Sequence, residues 1–199
     1  MNYLAHAYLS FDHPAILAGN LISDFVKGKN KFDYPEGIQN GIALHRAIDT
    51  FTDNHEATQQ AKAVFRPAYR LYSGALVDVV YDHFLATDEN EFPGNSLFDF
   101  SQQVYASMDG YQSLLPARFL LMFPYMKSHN WLFNYRTPEG IARSLEGLVR
   151  RAAYLTESKT AYRLFEQHYQ LLQEYYRQFW KDLKPFAHRQ YEELVAGNP

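Results

Sequence analysis

Apolar residues recur along this chain at intervals of three and four, while alternation of period two is almost absent, so the pattern predicts helices and no sheet. Pro14, a residue favoured at a first helical position, opens a helix through Ile16, Leu17, Asn20, Leu21 and Asp24 towards Gly28. A polar loop follows, from Lys27 to Pro35. The next helix starts near Pro35 and carries Ile38, Ile42, His45, Asp49 and Thr52 on related positions. Asp53 with Glu56 reads as a capping pair for a helix from about Asn54 to Phe65, which Pro67 interrupts or kinks. A further helix covers Tyr72 to Ala86. Ser96 with Asp99 opens another that reaches about Leu115, and Pro116 starts a shorter one that Pro124 ends or bends. Thr137 and Pro138 read as cap and first turn of a helix to about Leu155. The last helix, about Lys159 to Leu183, aligns Phe165, Tyr169, Leu172, Tyr176 and Phe179 on one stripe, read as core packing rather than a partner surface. The expectation is an all-α fold, an irregular bundle of about seven or eight helices in one domain over residues 1–199.

Some positions break the pattern. A residue four places along a helix turns by only about 40° and rises about 6 Å, so His45 and Asp49 share a face with Ile38 and Ile42. They stand where a plain helix places Leu or Ile, and a buried carboxylate needs a partner or a metal. The helix over 72–86 is apolar nearly all round, yet Asp78 and Asp82 sit inside it one turn apart, where two carboxylates repel unless a cation lies near. Asn20 and Asp24 repeat the spacing on the first helix. Asp24, His45, Asp49 and Asp82 are therefore expected to converge on a divalent metal, with Asp78 and Asn20 in or behind the ligand shell. His6 reads either as a further ligand from the N-terminal segment or as a hydrogen-bonded core residue. His83 adjoins Asp82 but points about 100° away from it. His55, His129, His168 and His188 read as ordinary histidines.

Composition narrows the classes. The chain is 47% hydrophobic and 17% aromatic, enough for a sizeable core, and the absence of Cys removes disulfides and thiolate metal sites. The net charge of -3 contains no block of like charge, so nucleic-acid binding is not expected. No apolar run approaches the about 20 residues of a membrane span, and Met1-Asn2-Tyr3-Leu4 lacks the basic start of a signal peptide, so the expected location is cytoplasmic and off the membrane. There is no Gly-x-Ser-x-Gly elbow, phosphate loop, dinucleotide fingerprint or His-Glu-x-x-His pattern.

Six segments in order, MNYLAHAYLS at the start, GNLISDFVKG at 19–28, GIALHRAIDTFTD at 41–53, DVVYDHFLA at 78–86, NWLFNY at 130–135 and GIARSLEGLVRRA at 140–152, resemble the acyl carrier protein phosphodiesterases. The resemblance implies hydrolysis of the phosphodiester between prosthetic group and carrier serine in holo-acyl carrier protein, giving 4′-phosphopantetheine and the apo carrier. It implies a divalent cation, Mn²⁺ by preference with Mg²⁺ or Fe²⁺ as alternatives, and a helical core related to the HD-domain metal phosphohydrolases. The HD ligand list does not transfer, because this chain has Asp82-His83 in reverse order and His45 followed four residues later by Asp49. Asp24 matches the family's GN-x-x-x-D motif and is carried over as an essential acid.

A phosphodiester repels hydroxide, and a metal can neutralise its oxygens and activate water as nucleophile. Asp24 or Asp78 is the expected base, and Arg46, beside His45, an expected phosphate contact. Carrier proteins are acidic, so Lys27, Lys29 and Lys31, Arg66 with Arg70, and the pair Arg150 and Arg151 are candidates for docking. The alternatives are an HD-type hydrolase of a nucleotide or other small phosphodiester, and a non-catalytic helical binding module. Oligomeric state is left open by the sequence.

Overall fold

The computed structural model describes residues 1–152 and 154–197. Among these there are eleven α-helices and no strand: α1 (Tyr3–Tyr8), α2 (Pro14–Ile22), α3 (Glu36–Asn54), α4 (Glu56–Tyr69), α5 (Ser73–Ala86), α6 (Ser96–Asp109), α7 (Ala117–Ser128), α8 (Trp131–Asn134), α9 (Pro138–Arg151), α10 (Lys159–Gln167) and α11 (Tyr169–Ala196). No helix of the described residues is long and apolar enough to cross a membrane. The three helices beyond the predicted number are α1, the one-turn α8, and the division of the last helix at His168. Ala153, inside the span expected for α9, lies outside the described residues.

Helix α5 is the centre of the core. Leu76, Val77, Val80, Tyr81 and Leu85 are fully buried, and α1, α4, α9 and α11 pack around it. Tyr81 stacks on Phe179 at 5.0 Å between ring centroids, so the aromatic stripe of α11 faces inward as its spacing predicted. The break at His168 lets Phe165 of α10 turn onto His83 and Phe84, while Tyr176 and Phe179 keep their places against Tyr81. Pro185 does not end α11. The helix runs on to Ala196 and stacks Phe186 against Phe51 of α3 at 4.4 Å.

The closest helix pair is α2 with α3, and glycine makes it possible. A Cβ on Gly19 would stand 2.1 Å from the Ile38 carbonyl oxygen, and one on Gly41 would stand 2.2 Å from that of Ile16. The two backbones thus touch at the crossing. This brings the Asn20 carbonyl within reach of the third helix, one turn beyond Gly41.

Two expected caps are corrected. Asp53 does not cap α4. It pairs with Lys62 Nζ at 2.8 Å, and the His55 ring accepts the Ala57 N–H instead. Ser96 makes no capping hydrogen bond on α6, which ends at Asp109 rather than near Leu115. Thr137 does cap α9, accepting the Gly140 N–H at 3.0 Å behind Pro138 at the first position.

Candidate metal centre

Three segments that are distant in sequence meet at the α2–α3 crossing. Helix α1 contributes His6, α3 contributes His45 and Asp49, and a 3₁₀ turn after α2 (Ser23–Phe25) contributes Asp24. The His6 and His45 rings stack with centroids 3.9 Å apart and an angle of 16°. Both are buried. One residue orients both. Asn20 Oδ1 lies 2.8 Å from His6 Nδ1, and the Asn20 backbone carbonyl lies 2.8 Å from His45 Nδ1. The Asn20 amide is itself fixed, because its Nδ2 donates to the His6 carbonyl at 2.8 Å and to Ser10 Oγ at 3.1 Å.

This arrangement assigns the tautomers. Each Nδ1 faces an oxygen that can only accept, so each Nδ1 carries a proton and Nε2 is the atom left to act as a ligand. Both Nε2 atoms are buried without a well-directed hydrogen bond. What stands opposite them is negative. Asp49 Oδ1 lies 3.2 Å from His6 Nε2, and Asp49 Oδ2 lies 3.0 Å from His45 Nε2. Asp24 Oδ1 lies 3.3 Å from His45 Nε2. Lone pairs turned on carboxylate oxygens repel unless a proton or a metal ion lies between them, and this donor set suits a divalent metal. The ligand atoms of His6, His45 and Asp49 all fall within 4.8 Å of one another.

Without an ion, the electrostatics place a proton between one ring and the carboxylates. Burial and the neighbouring His45 push the His6 ring down to about 4, so it is a neutral donor at pH 7. Burial also opposes charge on His45, but the carboxylates of Asp24 and Asp49 outweigh it and hold that ring up at about 9, so without an ion its Nε2 carries a proton that a divalent ion would displace. Asp49 is kept well below the ordinary carboxylate range by the two imidazoles, against its own burial. The His45 ring holds Asp24 low as well.

The structure distributes the remaining sequence candidates differently. Asp82 does not join the cluster. Its oxygens accept the backbone N–H groups of Leu4 at 2.7 Å, Asn2 at 3.2 Å and Ala5 at 3.3 Å, so a fully buried carboxylate caps α1. A helix N-terminus is the partner that its burial required. Asp78 faces the Met1 amino group at 3.0 Å. His83 also stands apart, with Nδ1 against the Tyr135 carbonyl at 2.7 Å and Nε2 against the Tyr169 hydroxyl at 3.1 Å. Arg46 donates to the Val26 carbonyl at 3.0 Å and so pins the chain just after Asp24. Lys27 and Lys29 are exposed in the turn that follows, and Lys31 lies over Phe32. Arg66 and Arg70 lie at the far end of α4, which packs chiefly on α5 and α11. His6, an open question in the sequence, is central here. No periodic signal marks it, because its helix has only six residues.

Fold and site together define a helical protein with a buried His/Asp cluster that could hold a metal ion. A family model described as acyl carrier protein phosphodiesterase matches residues 1–183. Relatives named acyl carrier protein phosphodiesterase include that of Yersinia pestis, 35% identical over 90% of this chain and 94% of the relative. That of Klebsiella pneumoniae subsp. pneumoniae is 34% identical over 91% and 93%. That of Salmonella agona is 32% identical over 95% and 98%. No solved structure matches this chain. The chain belongs to the acyl carrier protein phosphodiesterase family, a family of hydrolases acting on a phosphoric diester.

Proposed function

We propose that this protein cleaves the phosphodiester of holo-acyl carrier protein with the help of a divalent metal, releasing 4′-phosphopantetheine and the apo carrier. The family match supports the substrate, and the pair of buried Nε2 atoms turned on a shared carboxylate supports the metal. His6, His45 and Asp49 would hold the ion. Bound there, it would neutralise the phosphate oxygens, lower the pKa of water and stabilise the leaving alkoxide. Mixed imidazole and carboxylate donors favour Mn²⁺ or Fe²⁺ over Mg²⁺.

Asp24 stands at the mouth of the cluster. Its side chain is 75% exposed, and His45 keeps it ionised at neutral pH. It is the better placed of the two candidate bases, because Asp78 is engaged by the Met1 amino group. Arg46 positions the turn that presents Asp24 by holding the Val26 carbonyl. Lys27 and Lys29, just after that turn, are the basic groups nearest in sequence to Asp24 and suit an acidic carrier. The test is intact-mass measurement of holo-acyl carrier protein incubated with the purified protein and Mn²⁺, with and without chelator. Loss of the prosthetic-group mass, abolished by chelator and by His45→Ala, is the expected result. A carrier whose mass stays unchanged with every divalent ion overturns the proposal.

A further inference from the structure

A second concave feature adjoins this centre and has no role in the reading so far. It is a cavity of about 740 Å³ beside α9, within the range of about 300–1,000 Å³ typical of small-molecule sites. Three arginines, Arg143, Arg150 and Arg151, line it, and among the described residues none has a carboxylate within ion-pair distance. Uncompensated guanidinium groups gathered in one concavity, in a chain of net charge -3, point to an anionic ligand. The opposite walls are aromatic, with Trp131, Tyr3 and Tyr135. Tyr135 is only 3% exposed, and its hydroxyl makes no hydrogen bond to a described residue.

The cavity is tied to the metal centre through α1. Asn2 and Tyr3 belong to its wall, and His6 follows Tyr3 by one helical turn, a rise of about 4.5 Å. The Tyr3 hydroxyl lies within electrostatic reach of both Arg151 and Asp24, although burial is what chiefly raises it to about 12. The Tyr3 end of the cavity is therefore the end nearer the His6 ring.

We propose that this cavity binds the pantetheine arm of the substrate, with the phosphate end towards Tyr3 and Arg151 and the amide-bearing arm along α9. The assignment rests on the function proposed above. The arm fits the lining: its carbonyls accept from the arginine forks and the Tyr135 hydroxyl, and its dimethyl carbon packs on Trp131. A folded carrier domain is too large to enter, so the carrier itself stays on the outer rim.

Gly147 supplies the test. A Cβ there meets only Arg151 Nη1, at 3.7 Å, so a large side chain projects into the cavity without striking backbone. In the Mn²⁺-loaded protein, Gly147→Trp should raise KM for holo-acyl carrier protein about tenfold and weaken inhibition by free 4′-phosphopantetheine equally. Mn²⁺ affinity and the circular dichroism spectrum should stay as in the wild type, which reports that the variant is folded. Arg151→Ala should weaken 4′-phosphopantetheine by about tenfold while leaving unphosphorylated pantetheine nearly as before. Wild-type protein that cleaves no holo carrier overturns the function and this assignment with it. Wild-type cleavage with unchanged KM and inhibition in a folded Gly147→Trp variant overturns the cavity assignment alone.

Discussion

At the scale of single residues, the candidate centre depends on Asn20 as much as on the side chains that would face the ion. Its side-chain oxygen fixes one imidazole and its backbone carbonyl fixes the other. Such supporting hydrogen bonds are commonly worth about 10–100-fold in metal affinity. Asn20→Ala removes the side-chain bond to His6 but leaves the carbonyl facing His45, so Mn²⁺ affinity measured by titration calorimetry should fall within that range without vanishing. Unchanged affinity would show that His6 needs no orienting partner. Asp82 makes the opposite prediction. Its oxygens take three backbone N–H groups of the α1 segment, so Asp82→Asn should lower unfolding stability by about 1–3 kcal/mol, because the new amide hydrogens confront those N–H groups. The Mn²⁺ stoichiometry at saturation should stay at the wild-type value. Loss of a bound ion in Asp82→Asn would return that residue to the ligand shell.

At the scale of elements, two glycines on different helices should respond with opposite sign. Gly41 lies where α3 touches α2, and an added methyl would be driven into the Ile16 carbonyl. Gly41→Ala should cost about 1–3 kcal/mol or more. It should also weaken Mn²⁺ binding, because the helices must part between Asn20 and His45. Gly147 has open space on the cavity face of α9, and Gly147→Ala should stabilise by about 0.5–1 kcal/mol through helix propensity alone. Thermal melts of the two variants check both signs at once. The α1 helix shows why a short element can matter. It has six residues and too few turns to persist alone, yet it delivers His6 because Asp82 and the α5 surface hold it.

At the scale of the whole molecule, Glu91 joins distant parts of the chain. Lys184 Nζ donates to it at 2.6 Å, Trp180 Nε1 at 2.8 Å, and the Tyr8 hydroxyl donates as well. The cluster therefore ties α11 and the end of α1 to the segment after α5. Burial pushes the Glu91 carboxyl up, but Lys184, Tyr8 and Trp180 outweigh it and hold it below the ordinary range. With the folded value below the unfolded one, its contribution is present above the unfolded value and fades as pH falls through the folded one. Glu91→Gln should lose about 1.5–3 kcal/mol at pH 7 and should show a flatter acid limb than the wild type in denaturant titrations against pH. Equal slopes in the two proteins would mean that Glu91 does not contribute to acid sensitivity.

The helical character of the chain, the inward face of α3 with His45 and Asp49, and the exceptional acids of α5 were readable from spacing, because a helix presents every third and fourth residue to the same side whatever its neighbours are. Spacing also located Asp24, although that residue sits in a 3₁₀ turn rather than on the expected helix face. Which partner each buried acid meets was not readable. Asp49 meets two imidazoles and Asp82 meets a helix N-terminus, and the periodic signal is the same for both. The inclusion of His6 and the dual role of Asn20 followed from the α2–α3 contact and from the placing of α1 on α5, and the removal of His83 from its contacts with Tyr135 and Tyr169. Those choices depend on approach between segments far apart in the chain, where backbone contact at Gly19 and Gly41 sets positions to within ångströms. Local sequence determines which faces are buried, and tertiary packing decides which buried groups share one site.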